Sequence, residues 1–138
     1  TDILILEGWC CGSSAINSNY LNKNINILEK KFDDKLIWRN YYNNKLKNEY
    51  SELFSKFNKL IYFMSPNFSQ VLKWRIKQEN TMRKVHGKTA IGMNKKEIAE
   101  FIQYYEKITK WMRKTLPIKA DLTIYVDQNQ RIKRISSA

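Results

Sequence analysis

Residues 60–79 read "LIYFMSPNFSQVLKWRIKQE", and the change of pattern within this stretch decides the fold. The first five positions, 60–64, are all apolar and stop at a Ser-Pro pair, which predicts a short buried strand. A helix is predicted to follow over about residues 69–84. Its expected N-cap is Ser69, because a serine oxygen accepts hydrogen bonds from the free N–H groups at a helix start. A buried strand followed by a long helix is typical of α/β proteins.

The same succession of strand and helix extends along the chain in both directions. Apolar runs at residues 3–6 ("ILIL") and 122–126 ("LTIYV") predict two further buried strands. Strands separated by helices predict an α/β fold in three layers, with a parallel sheet covered on both faces. The remaining predicted elements are helices over about residues 17–32, 38–57 and 95–115, an N-cap at Asn94, a loop at 85–92 and an edge segment at 131–135.

Polar side chains stand directly after the three predicted strands. Glu7 follows the first, Ser65 the second and Asp127 the third. Ligands of parallel α/β sheets bind at the carboxyl ends of the strands, so these positions are candidates for a site. Glu7 there would hold Mg²⁺, directly or through water, or orient an attacking hydroxyl. The alternative is that Glu7 only caps the next turn or pairs with a lysine.

The bulk composition limits the classes of protein that fit this chain. The 138 residues carry 25 Lys and Arg against 13 Asp and Glu, a net charge of +12, which favours a polyanionic partner such as nucleic acid, a phosphorylated small molecule or an acidic membrane. No apolar run approaches the roughly 20 residues that span a bilayer. The only cysteines, Cys10 and Cys11, are adjacent, which argues against a disulfide framework and for a reducing, cytoplasmic location.

A basic stretch occupies residues 70–96, where eight lysines and arginines face a single acid, Glu79. Three interpretations stay open at this point. The stretch is a solvated basic face, as most charge runs are, or a lid that closes over a phosphorylated ligand, or a nucleic-acid groove in which Trp74 and other aromatics stack on bases. The only histidine, His86, is expected to be a polar residue of the loop.

Five segments occur in an order that resembles one known family. They read "LILEGWCCG" (4–12), "IWRNYYNNKL" (37–46), "LIYFMSPNFSQVLKWRIKQE" (60–79), "GMNKKEIAEFIQYYEKIT" (92–109) and "LPIKADLTIYVDQNQRI" (116–132). Together they resemble the C-terminal part of the D-glycerate 3-kinase family, P-loop kinases related to uridine kinase and phosphoribulokinase. The resemblance implies one partial domain of the P-loop NTPase kinase type over residues 1–138, with a lid over about 70–96. It also implies ATP-dependent phosphorylation of a small hydroxy acid, with ATP and Mg²⁺ as cofactors.

The resemblance also implies roles for individual residues. Glu7 matches the acidic residue expected near the metal and the transferred phosphoryl group. Lys107 stands where the family's "YE(R/K)xT" signature often has Arg, and the rest of that signature is matched by Tyr105, Glu106 and Thr109. The implied acceptor-binding residues are Trp9, Cys10, Trp74, Arg75, Gln78 and Glu79. The implied lid and phosphate residues are Arg83, Lys84, Lys88, Gly92 and Met93.

One motif of these kinases does not occur in the sequence. None of the four glycines begins the GxxxxGK[ST] loop that cradles the ATP phosphates. Tight ATP binding is therefore expected to need a complementary N-terminal segment or a second copy of the chain. The same partner would pair with the predicted strands at residues 3–6 and 60–64, unless these two strands pair directly with each other. The alternatives are a non-catalytic, truncated binding module and, ranked lower, a basic nucleic-acid-binding domain. Glycerate-like acids and ATP are the expected small-molecule partners, while membrane and nucleic acid are not expected.

Overall fold

The computed structural model describes residues 2–87 and 92–137, and these residues form an α/β fold. The predicted class is therefore confirmed. In chain order the elements are α1 (Ser18–Leu21), α2 (Ile27–Phe32), α3 (Ile37–Lys47), α4 (Glu49–Ser55), β1 (Ile61–Met64), α5 (Phe68–His86), α6 (Lys95–Phe101), α7 (Gln103–Lys119), β2 (Leu122–Val126) and β3 (Ile132–Ser137).

The three strands form one mixed sheet in the order β1-β2-β3. β1 and β2 are parallel, with Ile61 opposite Leu122. β3 runs antiparallel to β2, so the expectation of a wholly parallel sheet is wrong. The physical reason is the short turn after β2, where the Asp127 carboxylate accepts hydrogen bonds from the backbone N–H groups of Asn129 and Arg131. A turn this short reverses the chain, whereas a parallel neighbour needs a crossover of a dozen or more residues.

The predicted strand at residues 3–6 is also wrong. This segment has no strand structure, and Ile3, Leu4 and Ile5 are 77%, 83% and 83% exposed. In the part of the chain that the structure describes, β1 pairs only with β2, and the segment does not re-pair with the other edge of β1. An apolar run forms a strand only beside a partner that satisfies its backbone N–H and C=O groups. Without one, these side chains remain in water.

Several predicted helices are divided, and asparagine accompanies two of the divisions. The helix expected over 17–32 is α1 and α2, because the Asn26 side chain accepts a hydrogen bond from the Glu29 N–H and starts a new helix. The helix expected over 38–57 is broken at Asn48, whose backbone leaves the helical region. Short polar side chains compete with the helix for backbone hydrogen bonds, which explains both positions.

The helices around the basic stretch begin and end differently from the prediction. α5 starts one residue early because Asn67, not Ser69, is its N-cap. α5 also continues through His86, so the predicted loop at 85–92 is wrong at its start. The predicted cap at Asn94 is confirmed, and Glu97 completes a capping box there.

Helix α7 lies at the centre of the molecule and contacts α2, α5, α6 and β1. Its Leu116 is fully buried, and Met112 is nearly so. Apolar side chains spaced by four positions lie on one face of a helix, and this face packs on the sheet and on α6. Because α7 contacts both α2 and β1, it sets the relative positions of the N-terminal helices and the sheet.

Four buried charges join the N-terminal helices to α7. Arg39 and Lys107 are each 1% exposed, and Glu29 and Asp33 are buried beside them. Arg39 Nε lies 2.8 Å from Asp33 Oδ2, and Lys107 Nζ lies 3.3 Å from Glu29 Oε2. Burial lowers the pKa of Lys107, and Glu29 offsets this in part. The lysine of the "YEKIT" segment therefore supports the fold from inside the protein.

Candidate functional site

A cavity of about 820 Å³ opens beside the carboxyl end of β1. One wall is a face of α5, and Thr109 and Met112 of α7 form part of another. Ser65, directly after β1, also lines the cavity, as expected for a ligand site of an α/β sheet. Of the residues predicted to bind the acceptor, those that line it are Trp9, Trp74, Arg75 and Gln78.

Trp9 is held in the cavity wall by the residues of the "YEKIT" segment. Its indole N–H donates to Thr109 Oγ1 at 3.1 Å. Its ring stacks on Tyr105, with centroids 4.8 Å apart and planes inclined by 12°. Two contacts of different kinds fix both the position and the tilt of the ring, and such a rigid aromatic surface suits the carbon skeleton of a small ligand.

Trp74 fixes the α5 wall to the turn between β2 and β3. Its indole N–H donates to the Gln128 carbonyl at 2.8 Å. Two residues later Gln130 has a left-handed backbone, with φ at 65°, and lines the cavity. Sequence reasoning missed Gln130. The Asp-x-Asn pattern at 127–129 marks the turn, but nothing local shows that the turn packs on α5.

Arg75, together with Lys77, carries the positive charge of the α5 wall. Its NH2 nitrogen lies 2.6 Å from Glu79 Oε1, and its NH1 nitrogen donates to Gln78 Oε1 at 2.7 Å. Glu79 is only 4% exposed and lies behind the arginine rather than in the lining of the cavity. Arg75 Nε is buried and has no hydrogen-bond partner among the described residues. The side chain is 27% exposed, and NH1 and NH2 each carry a second N–H group that could donate to an anionic ligand.

Glu7 and Cys10 also lie outside the lining of the cavity. Glu7 is exposed in the N-terminal segment and forms no ion pair or hydrogen bond with the residues that the structure describes. Cys10 is half-buried. Burial, with a smaller contribution from Cys11, raises the pKa of the Cys10 thiol to about 11. The thiol therefore stays protonated at neutral pH and is a poor nucleophile.

The predicted lid residues have different surroundings. Arg83 donates from NH2 to the Gly92 carbonyl at 2.9 Å and to the Met93 carbonyl at 2.8 Å. Lys84 is exposed, and Lys88 lies outside the described residues. His86 is the last residue of α5 and lines the cavity, so its assignment to a loop is wrong.

Arg113 of α7 is a further residue that sequence reasoning missed. It donates to the Ser65 carbonyl, to Ser65 Oγ and to the Pro66 carbonyl. These bonds hold the turn between β1 and α5 in place and thereby set the position of the α5 wall. No sequence signal pairs Arg113 with that turn, because the contact joins residues 47 and 48 positions apart.

The residues present fit the implied cofactors unequally. Within 2–87 and 92–137 there is no group of three His, Cys, Asp or Glu side chains that could hold a metal. Mg²⁺ in kinases is often bound through one or two carboxylates and the substrate phosphates, so Glu7 fits as a single ligand. The ATP phosphates find no glycine-rich loop in this sequence, so the chain alone does not fit them. In the same described ranges, no helix has the length and apolar character to cross a membrane.

Comparisons with known proteins relate the chain to kinases. No protein-family model matches it. The chain is 26% identical over 137 residues to a curated protein of Schizosaccharomyces pombe (strain 972), the "Uncharacterized kinase mug58". The matched region covers 94% of this chain and 47% of that protein. The chain is thus a distant homologue of that kinase and spans about half of its length.

Two solved structures have the same fold over nearly the whole chain. The YGR205w protein matches with a TM-score of 0.67 at 22% identity, over 94% of this chain and 45% of that one. A D-glycerate 3-kinase from Cryptococcus neoformans var. grubii serotype A matches with a TM-score of 0.65 at 18% identity, over 95% of this chain and 48% of the enzyme. The resemblance stated from the sequence is confirmed, and it concerns about half of each protein.

Proposed function

We propose that this chain is the acceptor-binding part of an ATP-dependent kinase of the glycerate kinase type. The reaction is transfer of a phosphoryl group to a hydroxyl of a small hydroxy acid. One observation carries the proposal: Trp9 lines the same cavity as the α5 residues Trp74, Arg75 and Gln78, from which it is more than 60 positions distant in sequence. The resemblance assigns all four to acceptor binding. The relationship to a kinase and the shared fold with a D-glycerate 3-kinase support it.

The cavity has the chemistry that a small hydroxy acid requires. Arg75 would bind the carboxylate through charge-assisted hydrogen bonds, and the Gln78 amide would bind a hydroxyl. Trp9 and Trp74 would pack on the carbon atoms. Phosphoryl transfer depends mostly on positioning and on charge neutralisation, so few further groups are needed. Glu7, as the remaining proposed catalytic residue, would orient the acceptor hydroxyl or hold Mg²⁺ on this side.

The basic stretch at 70–96 would serve as the lid on the phosphate side. We assign the lid to Arg83, Lys84, Lys88, Gly92 and Met93, with Lys84 and Lys88 as its cations on the phosphate side and Arg83 bonded to the backbone of Gly92 and Met93. Cationic side chains near a transferred phosphoryl group neutralise the charge that develops on its oxygens. A cytoplasmic location, where ATP is plentiful and thiols stay reduced, agrees with this role.

The ATP phosphates would be bound by a segment with a phosphate loop, supplied as a complementary N-terminal segment or by a second copy of the chain. Two apolar surfaces support such a partner. The side chains of Ile61 and Phe63 on β1 are 56% and 63% exposed, and residues 3–6 are exposed as well. A strand placed beside β1 would pair its open edge and cover these side chains.

The experiment is an assay of the protein at its native length, with MgATP and D-glycerate. We expect release of ADP that depends on glycerate and a new phosphate monoester in the ³¹P NMR spectrum. Glu7→Gln should lower turnover sharply and leave the melting temperature unchanged, because Glu7 is exposed and unpaired among the described residues. Glu100→Gln, an exposed carboxylate on α6, is the matched control. Normal turnover in Glu7→Gln would contradict the role of Glu7, and ADP release independent of any hydroxy acid would contradict the proposed function.

The missing phosphate loop favours one alternative, a non-catalytic binding module. Titration of the chain with MgATP and with glycerate separates the two. A non-catalytic module would not bind ATP tightly and would not catalyse transfer in any assembly. The acceptor-binding part of a kinase would become active once a phosphate-loop segment is supplied. The basic charge also permits nucleic-acid binding, which would show as an affinity that falls steeply with salt.

A further inference from the structure

We infer that Gly92 and Arg83 are positioning residues, which fix the guanidinium of Arg75 at the cavity by acting through Glu79. Neither lines the cavity itself. The positional part of this inference depends only on contacts within the chain. Its consequence for the acceptor rests on the proposed function.

Arg83 holds the segment 92–93 against α5. Its NH2 group donates to the carbonyl oxygens of both Gly92 and Met93, at 2.9 and 2.8 Å. Two hydrogen bonds from one planar group define the distance and the orientation of the segment. In this arrangement the NH2 donors of Arg83 point to the backbone of the segment.

Gly92 lies so close to α5 that a side chain would not fit. A Cβ placed on Gly92 would lie 2.6 Å from Glu79 Oε2 and 3.0 Å from Met82 Cε. By contrast, a Cβ on Gly87 would have nothing within 4 Å. The backbone of Gly92 therefore forms the back wall of the space in which the Glu79 carboxylate sits.

Glu79 passes this constraint to Arg75. The carboxylate is 4% exposed and lies between the two: Oε2 faces Gly92, and Oε1 pairs with Arg75 NH2 at 2.6 Å. Among the described residues, Glu79 Oε2 has no hydrogen bond that would fix it independently. Its position is thus set by the wall behind it and by the arginine in front of it.

Gly92→Ala separates positioning from simple stability. The atoms that the new Cβ would meet are the ends of two flexible side chains, so they can shift without moving the backbone. We expect a change in melting temperature within about 2 °C, as for a small free-energy change. The carboxylate must move all the same, and Arg75 would lose the partner that orients it.

The test is the Nε–Hε NMR signal of Arg75 in the 138-residue chain. Arg75 Nε is buried, so its proton should exchange with water more slowly than that of an exposed arginine. We expect Gly92→Ala and Arg83→Lys each to shift this signal and to speed its exchange about tenfold, because both release the Glu79 carboxylate. Glu79→Gln, which removes the carboxylate, should have the same effect. Arg83→Lys keeps the charge but cannot bind two carbonyls in one plane, and it serves as the second variant should Gly92→Ala misfold.

Two substitutions on exposed positions of α5 are the controls. Asn80→Ala changes a neighbour of Glu79, and Lys73→Ala removes a charge near Arg75; neither residue lines the cavity. Both should leave the exchange rate of the Arg75 signal as it is in the parent chain. An Arg75 signal that is unchanged in both Gly92→Ala and Arg83→Lys would overturn the inference.

A second measurement distinguishes failure of the inference from failure of the proposed function. In the native-length kinase, Gly92→Ala and Arg83→Lys should raise KM for glycerate and leave KM for ATP unchanged. A rise in KM for ATP alone would overturn the inference in favour of direct phosphate contact by Arg83. Should the NMR response occur in a protein without kinase activity, the positional inference stands and the proposed function fails.

Discussion

Arg39 and Arg75 are both paired with carboxylates, but their remaining donors differ. Arg39 is 1% exposed, and all three of its nitrogens donate: Nε to the Asp33 carboxylate, NH1 to the Leu21 carbonyl and NH2 to the Asp33 carbonyl. The side chain of Arg75 is 27% exposed at the cavity, and its Nε has no partner among the described residues. An arginine that is fully buried and bonded through all three nitrogens holds the fold together, whereas one whose side chain is partly exposed at a cavity can bind a ligand.

This difference has an energetic side. Burying an ion pair contributes little by itself, because removing two charges from water costs about as much as their attraction returns. Removing one member alone is expensive, since the other is left buried without a partner. Substitutions of Arg39 should therefore act on stability, and substitutions of Arg75 that keep its charge should act on binding.

Arg39→Met should have the largest effect. It would leave Asp33 buried without its main partner, which costs about 3–5 kcal/mol in the free energy of unfolding. Urea unfolding followed by circular dichroism measures this loss. The control is Lys35→Met, which removes an exposed lysine nearby and should change the free energy by less than about 0.5 kcal/mol. Equal, small effects of the two substitutions would refute the structural role of Arg39.

Arg75→Lys should have a smaller effect, and on a different quantity. The ammonium can still pair with Glu79, so the free energy of unfolding should change by less than about 1 kcal/mol. The planar fork of the guanidinium is lost. Loss of one charge-assisted hydrogen bond, worth roughly 1.5–3 kcal/mol, would raise KM for glycerate about tenfold or more. Steady-state kinetics of the native-length kinase provide the measurement, with Lys73→Gln as the control on the same helix. A stability loss as large as that of Arg39→Met would remove the distinction between the two arginines.

The same two arginines show what the sequence can and cannot predict. The sequence proposes Arg75 as a site residue because its neighbours form a recognisable segment. It correctly predicts β1, β2 and the cap at Asn94 because their signals are local. Arg39 was missed, since charged residues are usually exposed and burial of one depends on partners elsewhere in the chain. Its partners come from α1 and from the end of α2, elements that were expected to be one helix.

The segment at residues 3–6 and the residue Gln130 both show that contacts distant in sequence decide what a local pattern cannot. The apolar run at 3–6 has the composition of a buried strand, but burial is decided by a neighbour, and the described residues provide none. Gln130 has no feature that marks a ligand site, but the turn that carries it is fixed to α5 through Trp74. Local patterns predict the elements, and long-range contacts decide which residues surround the cavity.

The pH dependence of the free energy of unfolding should show the smallest effect, and it tests the Arg39–Asp33 pair directly. Burial would raise the pKa of Asp33, but hydrogen bonds from the Arg39 side chain and from the Trp38 and Arg39 N–H groups outweigh it and lower the pKa below 3.8. A carboxylate with a lowered folded-state pKa stabilises the fold above its unfolded value, and this contribution is lost as the pH falls through the folded value. Each unit of lowering contributes about 1.4 kcal/mol. Urea unfolding at pH 7, 4 and 3 should therefore show a decline below about pH 4 that is weaker in Asp33→Asn. Asp34→Asn, at the exposed neighbouring position, should leave the decline in the free energy of unfolding as it is in the parent chain. A decline in Asp33→Asn identical to that of the parent would mean that Arg39 does not lower the pKa of Asp33.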